Sequence, residues 1–399
     1  MSVTYVIVGG GLAAAKGAEA LRAEGFGGRV VLVGRETHLP YERPPLSKGY
    51  LQGKSEREKI FTHDRAWYDE HDVELRLGTE VTALDTAAHT VTLGDGETLA
   101  YDKLLLATGA VPRELDVPGA EHVHYLRTVD DSEALRKVFG ASSRVAIVGA
   151  GWIGLETAAA ARAAGAEVTV VETAQAPLLG VLGPEIAAVF TDVHRANGVE
   201  FRFGAQVTEV TESGLTLSDG VQVEADAVVA GIGAVPEVGL ARAAGLAVAN
   251  GVKVGPDLRT SDPDVFAAGD IADADHPFYG RSIRVEHWAN ALNQPGVAAR
   301  AMLGKDVAYD NLPYFYTDQF DLGMEYVGHI APDASPEVVV RGDLATREFI
   351  AFWLVDGKVT AAMNVNIWDV TDATKALIRS GRVVDKARLA DPAVPLDQI

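Results

Sequence analysis

The sequence predicts an α/β fold with two Rossmann-like dinucleotide-binding domains and a C-terminal α+β domain. Two runs of β-branched residues, 5–8 and 145–148, each lead into a glycine-rich turn and then a helix-forming segment. This order of elements is typical of a dinucleotide-binding βαβ unit. Residues 104–112 and 227–236 share a second pattern, a strand followed by an exit turn, which indicates an internal duplication. Residues 313–319, Pro-Tyr-Phe-Tyr-Thr-Asp-Gln, open the C-terminal domain.

The first βαβ unit begins at residues 5–14, Tyr-Val-Ile-Val-Gly-Gly-Gly-Leu-Ala-Ala. Gly9, Gly11 and Ala14 occupy the fingerprint positions, and Ala13 stands beside them. Glu36 follows the second strand, residues 30–33, at a slightly long distance for the acid that binds a ribose 2′-hydroxyl. This unit is therefore expected to hold one dinucleotide.

The second unit, residues 144–172, has the full G-x-G-x-x-G spacing at Gly149, Gly151 and Gly154. The first glycine permits a tight turn, the second lets a diphosphate approach the backbone, and the third lets helix pack on strand. Ile153 opens the helix-forming segment, whose positive N-terminus faces the diphosphate. Glu172 closes the unit at the offset expected of a ribose-binding acid.

Glu172 predicts a preference for NADH over NADPH. Two unit charges about 4 Å apart at an effective dielectric near 20 repel by about 4 kcal/mol, so even a screened remainder discriminates at least about tenfold. Residues 173–175, Thr-Ala-Gln, supply no arginine to hold a 2′-phosphate. With NADH at this site, the economical second dinucleotide is FAD.

Composition excludes several kinds of protein. The 399 residues contain no cysteine, so disulfides, Cys-ligated clusters and redox-active dithiols are excluded. The net charge of −21 argues against general binding to nucleic acid or anionic membranes. We expect no metal site, because no ligand cluster is evident. The N-terminus lacks a basic leader and reads as a strand, which favours a cytoplasmic protein.

Residues 41–48, Tyr-Glu-Arg-Pro-Pro-Leu-Ser-Lys, form a rigid proline turn expected to lead into a helix. This run resembles that of the NADH-dependent ferredoxin reductases of oxygenase systems, which have a glutathione-reductase-like arrangement. In that family the proline turn lies against the flavin and the lysine approaches its reactive edge. The resemblance therefore implies Arg43 and Lys48 as flavin neighbours.

The same resemblance implies further cofactor contacts. Glu156 matches a glutamate that faces the nicotinamide amide, and Asp270 in Ala-Gly-Asp matches the ligand of the ribityl chain. Trp288 falls where the family segment touches the isoalloxazine, although such a tryptophan can also be only a core residue. Lys48, Glu156 and Trp288 are the candidate catalytic residues. The remaining cofactor candidates are Val81, Ala107, Arg127, Gly233 and Gly269.

The chain departs from the family pattern at two places. Arg35 stands where an acidic residue is common, which shifts the ribose role to Glu36. Tyr316-Thr317 stand where Trp-Ser is common. The predicted division is a discontinuous FAD-binding domain at 1–112 and 238–307, an NAD-binding domain at 113–237 and a C-terminal α+β interface domain at 308–399.

The resemblance implies an FAD-dependent NADH:ferredoxin oxidoreductase, whose ferredoxin serves a haem-thiolate monooxygenase or a Rieske oxygenase. Lys375, Arg379 and Arg382 lie in a locally basic segment that could guide an acidic ferredoxin or could be only a solvated helix face. Two alternatives remain open: a reductase of rubredoxin or a small oxidant on the same scaffold, and an apoptosis-inducing-factor-like, NADH-responsive redox sensor.

Overall fold

The computed structural model describes residues 3–399 and divides into two compact units. Unit 1 comprises residues 3–43, Arg57–Val111 and Ala234–Asn311. Unit 2 comprises Pro44–Glu56, Pro112–Gly233 and Leu312–Ile399. Each unit is built from three separate segments of chain. The three-domain division stays a prediction, and the ranges predicted for the second and third domains fall largely together in unit 2.

The centre of unit 1 is a five-stranded parallel sheet. Its strands are short and rich in Val, Ile and Leu, as expected of strands buried on both faces. In spatial order they are Val265–Ala267, Lys103–Leu106, Thr4–Val8, Arg29–Gly34 and Val73–Leu77. Val265–Ala267 comes last in the sequence among these strands and lies at one edge of the sheet, beside Lys103–Leu106.

Two long helices of unit 1, Leu12–Ala23 and Trp288–Met302, pack on each other. Shorter elements complete the unit. Its smaller sheets consist of Val81–Asp85, Thr90–Leu93 and Thr98–Ala100, and of Val252–Val254, Ala272–His276 and Arg281–Ile283. Its short helices are Arg57–Ile60, Arg65–Glu70 and Gly239–Ala243.

Unit 2 repeats the parallel sheet with five strands. Their order is Val199–Phe203, Glu167–Glu172, Arg144–Val148, Ala227–Ala230 and Val123–Tyr125. Helices connect these strands: Val129–Val138, Trp152–Ala163, Leu179–Leu182 and Pro184–Ala196. A small antiparallel sheet follows, formed by Val207–Thr211, Gly214–Leu217 and Gln222–Glu224.

The C-terminal part of unit 2 is a five-stranded antiparallel sheet with two helices. Its strands run in the order Tyr314–Gln319, Leu322–Gly328, Lys358–Val365, Glu348–Val355 and Glu337–Asp343. Its helices are Thr371–Ser380 and Lys386–Ala390, followed by a 3-10 turn at Leu396–Gln398.

The proline turn differs from its prediction. Residues 44–47 form one 3-10 turn, Pro44–Ser47, and the chain continues in turns instead of the expected helix. The N–H groups of Lys48 and Tyr50 both donate to the carbonyl oxygen of Pro45, so the i→i−4 pattern of an α-helix is not established. The remaining short elements are the 3-10 turn Ala120–His122 and the strands Ala110–Pro112 and Ala234–Pro236. Within residues 3–399 no helix combines the length and the apolar character needed to cross a membrane.

Candidate functional site

The first glycine turn lies in unit 1 between the strand Thr4–Val8 and the helix Leu12–Ala23. Gly9 has φ +139°, and a Cβ there would lie 2.2 Å from the carbonyl oxygen of Ala107, so only glycine fits. Gly269 has φ +83°, and a Cβ there would lie 3.2 Å from that of Ala13. Ala13 and Ala14 are buried in the first helical turn.

The N-terminus of the helix Leu12–Ala23 is open to an anion. Its N-cap is Gly11, no side chain of the described residues caps it, and the first turn contains no acidic residue. The leading N–H groups of a helix need acceptors and attract negative charge. A diphosphate supplies both, so this cradle fits the diphosphate of FAD.

Charged groups follow the second strand of unit 1. Glu36 accepts a hydrogen bond from Nη2 of Arg43 at 3.1 Å and another from the hydroxyl of Tyr41. Burial alone would lower the pKa of Arg43, but Tyr41, Glu36 and Asp270 outweigh it, and the net effect is a raised pKa. Arg35 points to solvent, with a long ion pair to Glu80. Glu36, Arg43 and Asp270 are thus brought into one electrostatic cluster.

The Ala-Gly-Asp element is fixed by a residue that sequence reasoning missed. The backbone N–H of Gly269 donates to Oε1 of Gln294 at 2.8 Å, and Gln294 is buried in the helix Trp288–Met302. Arg284 donates to the carbonyl of Asp270 at 3.2 Å. Trp288 is the first residue of the same helix. In the sequence, these contacts were indicated only by the residue types of the segment 284–294.

Two other predicted residues of unit 1 lie at strand ends. Ala107 follows the strand Lys103–Leu106, and its N–H donates to the carbonyl of Val8 at 2.8 Å, beside the glycine turn. Val81 begins the antiparallel strand Val81–Asp85, outside the parallel sheet. Their contacts with a flavin stay predictions.

The second glycine turn lies in unit 2 and repeats the geometry of the first. Gly149 has φ +97°, and a Cβ there would lie 2.5 Å from the carbonyl oxygen of Gly231. A Cβ on Gly154 would lie 2.0 Å from the carbonyl oxygen of Gly149, so the third glycine lets the helix approach the turn. Gly151 is the N-cap of the helix Trp152–Ala163, without a side-chain cap from the described chain. Ile153, in the first turn, is exposed.

Glu172 is held at this turn. One carboxylate oxygen accepts the N–H of Ala150 at 2.7 Å, and the other accepts the N–H of Ala174 at 2.8 Å and the hydroxyl of Thr173 at 3.0 Å. The carboxylate therefore stands beside the backbone that would face the diphosphate. This placement fits the adenosine ribose of NADH.

Two further predicted residues lie at loop positions of unit 2. Gly233 has φ +109° and accepts the N–H of Arg113 at 2.9 Å. Arg127 lies between the strand Val123–Tyr125 and the helix Val129–Val138, and its N–H donates to Asp131 at 3.1 Å.

The candidate catalytic residues Lys48 and Glu156 form an ion pair of 2.8 Å in unit 2. The side chain of Glu156 is 3% exposed and that of Lys48 13%. Glu156 also accepts hydrogen bonds from the hydroxyls of Ser47 and, at 2.5 Å, Thr317. Lys48 lies 5.3 Å from the centre of the Tyr316 ring. No pattern in the sequence indicated that the hydroxyls of Ser47 and Thr317 meet this carboxylate.

The basic segment is partly neutralised. Lys375 lies 3.7 Å from Asp372 and above the ring of Tyr314, and Lys386 is paired with Glu337. Arg382 lies just beyond the helix Thr371–Ser380 and is exposed. Among residues 3–399, no group of three or more His, Cys, Asp or Glu side chains is placed to hold a metal ion.

Two glycine cradles, each before an uncapped helix and each with a carboxylate after the second strand, define a protein that binds two dinucleotides, as flavin-dependent pyridine-nucleotide oxidoreductases do. The chain belongs to the pyridine nucleotide-disulphide oxidoreductase family, whose sequence profile matches residues 3–295. A second profile, described as reductase C-terminal, matches residues 314–399.

Relatives match almost the whole chain. The ferredoxin–NAD(+) reductase component of the anthranilate 1,2-dioxygenase system of Burkholderia cepacia is 42% identical, over 98% of both chains. Putidaredoxin reductase of Pseudomonas putida is 38% identical, over 99% of this chain and 96% of that protein. The solved structure of a covalent putidaredoxin reductase–putidaredoxin complex superposes with a TM-score of 0.94 at 37% identity, covering 99% of this chain and 97% of that chain.

These similarities confirm the predicted family, the fold class and the use of FAD and NAD(H). The protein is an oxidoreductase. The family name refers to disulphide chemistry, but this chain has no cysteine and cannot form a redox-active disulfide of its own.

Proposed function

We propose that the protein takes electrons from NADH and passes them, through bound FAD, to an iron–sulfur ferredoxin that serves a haem-thiolate monooxygenase or a Rieske oxygenase. One observation supports this most directly: two dinucleotide cradles occur in a chain without a single cysteine. Electrons therefore cannot pass to a dithiol within the chain and must leave to an external acceptor. The full-length relatives include ferredoxin–NAD(+) reductase components.

The two cradles have separate tasks in this proposal. The helix that begins at Leu12 would hold the diphosphate of FAD, and the helix that begins at Trp152 would hold that of NADH. Asp270 and Glu36 would bind the hydroxyls of FAD, and Glu172 those of the adenosine ribose of NADH. When bound, FAD accepts a hydride from NADH and can release the two electrons singly.

The protein needs no acid or base at the reacting carbon, because hydride transfer depends on stacking and orientation. Lys48 would place a positive charge near the flavin edge, and Glu156 would hold that charge in position through the ion pair of 2.8 Å. Trp288, at a helix N-terminus, would contact the flavin ring. Each of these roles is testable by substitution.

The ferredoxin would dock near the helix Thr371–Ser380. Lys375 is 41% exposed and lies 3.7 Å from Asp372, and Arg379 and Arg382, toward the end of the segment, are exposed. An acidic ferredoxin attracted there should associate more slowly as salt rises, because exposed charges are screened within about 10 Å at 0.1 M salt. We place the reaction in the cytoplasm, where NADH is available as an electron donor.

The test is an acceptor panel with the purified holoprotein. NADH oxidation is measured with a ferredoxin, a rubredoxin, monodehydroascorbate or oxygen as the sole acceptor. The proposal expects fast turnover with a ferredoxin and slow turnover with oxygen. Fast turnover with oxygen alone would reject the ferredoxin assignment, and a rubredoxin preference would support the second enzyme class. An NADH-dependent change in sedimentation, without turnover, would support the redox-sensor alternative.

A further inference from the structure

A buried histidine in unit 2 lies outside every motif discussed so far. His194 is on the helix Pro184–Ala196 and is 0% exposed. Its Nε2 lies 2.9 Å from Oε1 of Gln319, and its Nδ1 has no hydrogen-bond partner within residues 3–399. The rings of Phe201 and Phe320 approach it edge-on. Burial lowers the pKa of His194 to about 4, so the imidazole is neutral at neutral pH.

The strand Tyr314–Gln319 connects this histidine to the Lys48–Glu156 pair. Alternation along a strand puts Thr317 and Gln319 on the same face, and both side chains are buried. Nε2 of Gln319 lies 3.1 Å from Oγ1 of Thr317, and Oγ1 of Thr317 lies 2.5 Å from Oε1 of Glu156. Four polar side chains therefore form an unbroken chain of hydrogen bonds from His194 to Glu156.

The direction of these hydrogen bonds follows from elementary donor and acceptor rules. An ionised Glu156 only accepts, so the hydroxyl of Thr317 must donate to it. A lone pair of Thr317 then accepts from the amide NH₂ of Gln319, which turns the amide oxygen of Gln319 toward His194. That oxygen can only accept, so His194 carries its proton on Nε2. Every donor in the chain points toward the carboxylate.

We infer that Thr317, Gln319 and His194 are positioning residues, which hold the Glu156 carboxylate in place against Lys48 through a one-way chain of hydrogen bonds. Oε1 of Glu156 is shared by the hydroxyl of Thr317 and the ammonium of Lys48. Because this oxygen is fixed from one side by Thr317, the ammonium on the other side has one preferred position. The consequence for flavin reduction rests on the proposed function, since it requires Lys48 to lie near the flavin edge.

The chain of hydrogen bonds also explains why position 317 has a side chain with a hydroxyl group. The family resemblance places a serine there, and serine and threonine share the hydroxyl that donates to Glu156. Valine has the shape of threonine without that hydroxyl. Thr317→Val therefore removes the donor and leaves the packing, whereas Thr317→Ser keeps the donor.

The experiment compares Thr317→Val and Thr317→Ser in the holoprotein. Thr374→Val is the matched control, because Thr374 is a buried threonine whose hydroxyl donates, among residues 3–399, only to the carbonyl of Val370, the N-cap of its own helix. Flavin reduction by NADH is followed in a stopped-flow instrument without ferredoxin, together with the visible flavin spectrum and the thermal unfolding midpoint. Omitting ferredoxin separates this test from the choice of acceptor.

For Thr317→Val we expect the limiting rate of flavin reduction to fall roughly three- to tenfold, the size of a typical net hydrogen bond. The NADH concentration at half-maximal rate should stay unchanged, the flavin spectrum should shift, and Thr317→Ser should restore the wild-type values. Equal rates and spectra for Thr317→Val and Thr374→Val would overturn the inference. So would an equal loss in Thr317→Ser and Thr317→Val.

A second measurement does not depend on turnover. Nitrogen NMR of the ¹⁵N-histidine-labelled holoprotein, with His194 assigned by His194→Gln, reports which ring nitrogen carries the proton. We expect the Nε2–H form in the wild type. In Glu156→Gln, which removes the charge that orders the chain of hydrogen bonds, we expect a mixture of the Nε2–H and Nδ1–H forms. An Nδ1–H form in the wild type would contradict the deduced direction. If the wild type fails to react with NADH but shows the Nε2–H form, the proposed function is rejected while the inferred chain of hydrogen bonds is still supported.

Discussion

The charge of Glu172 should determine the choice between NADH and NADPH, and Glu172→Gln removes that charge. The substitution keeps the size of the side chain, and the amide oxygen can accept the N–H of Ala150 or that of Ala174, which donate to separate carboxylate oxygens at 2.7 and 2.8 Å in the wild type. Besides one of these acceptors, a negative charge beside the expected position of the 2′-phosphate is lost. A repulsion of about 4 kcal/mol at 4 Å, reduced by solvent to about 1.4–2 kcal/mol, corresponds to roughly ten- to thirtyfold.

The assay is kcat/KM for both nucleotides with a fixed artificial acceptor, so that no ferredoxin step enters. We expect the NADH:NADPH ratio to fall at least about tenfold in Glu172→Gln, mainly through faster use of NADPH. Glu167→Gln is the control, because Glu167 begins the same strand and is exposed. A ratio in Glu172→Gln within about twofold of that in Glu167→Gln would show that the charge at position 172 does not face the ribose, and the reasoning would be refuted.

Three further predictions concern stability and use urea unfolding of the holoprotein. Lys48→Met and Glu156→Gln should each lower the free energy of unfolding by about 3–5 kcal/mol, because each leaves its buried partner without a counter-charge. The double variant should lose less than the sum of the two single losses, and additive losses would show that the two side chains do not stabilise each other. Arg341→Leu should lower the free energy of unfolding by roughly 2–4 kcal/mol and expose the C-terminal segment to protease, because Arg341 donates to four backbone carbonyls there. The control Arg347→Leu removes an exposed ion pair and should lower it by under about 1 kcal/mol. Equal losses in the two variants would refute this prediction. Burial lowers the pKa of His194 from 6.5 in the unfolded chain to about 4, so its contribution to the free energy of unfolding is fully present above pH 6.5 and is lost as pH falls toward 4. The loss amounts to about 3 kcal/mol, and it should be missing from the pH profile of unfolding of His194→Gln.

Local patterns predicted much of the fold. The two glycine turns, their flanking strands and the first helical residues depend on neighbours in sequence, and the structure has them within one or two residues: the strand expected at 145–148 spans Arg144–Val148. The fold class and the cofactors were predicted for the same reason. The prediction of a helix after the proline turn was wrong, because the N–H groups that follow residue 47 form turn hydrogen bonds and do not continue the i→i−4 pattern of a helix.

Contacts between distant positions could not be predicted in this way. Lys48 and Glu156 were each matched by family resemblance, but nothing in the chain indicated that they share an ion pair. Thr317 was noted only as a departure from a common serine, and His194 was not noted at all. Their positions depend on how the strand Tyr314–Gln319 packs in unit 2, which is a property of the tertiary structure and has no local pattern.

The strand order of the two parallel sheets has a consequence for protein synthesis. All five strands of the unit 2 parallel sheet lie between Val123 and Ala230, so they are complete once the ribosome has passed that point. The corresponding sheet of unit 1 begins at Thr4 but must wait for Val265–Ala267 before its edge beside Lys103–Leu106 is filled. The part of the chain that is translated first therefore finishes folding second, with an unprotected strand edge exposed to neighbouring nascent chains in the interval.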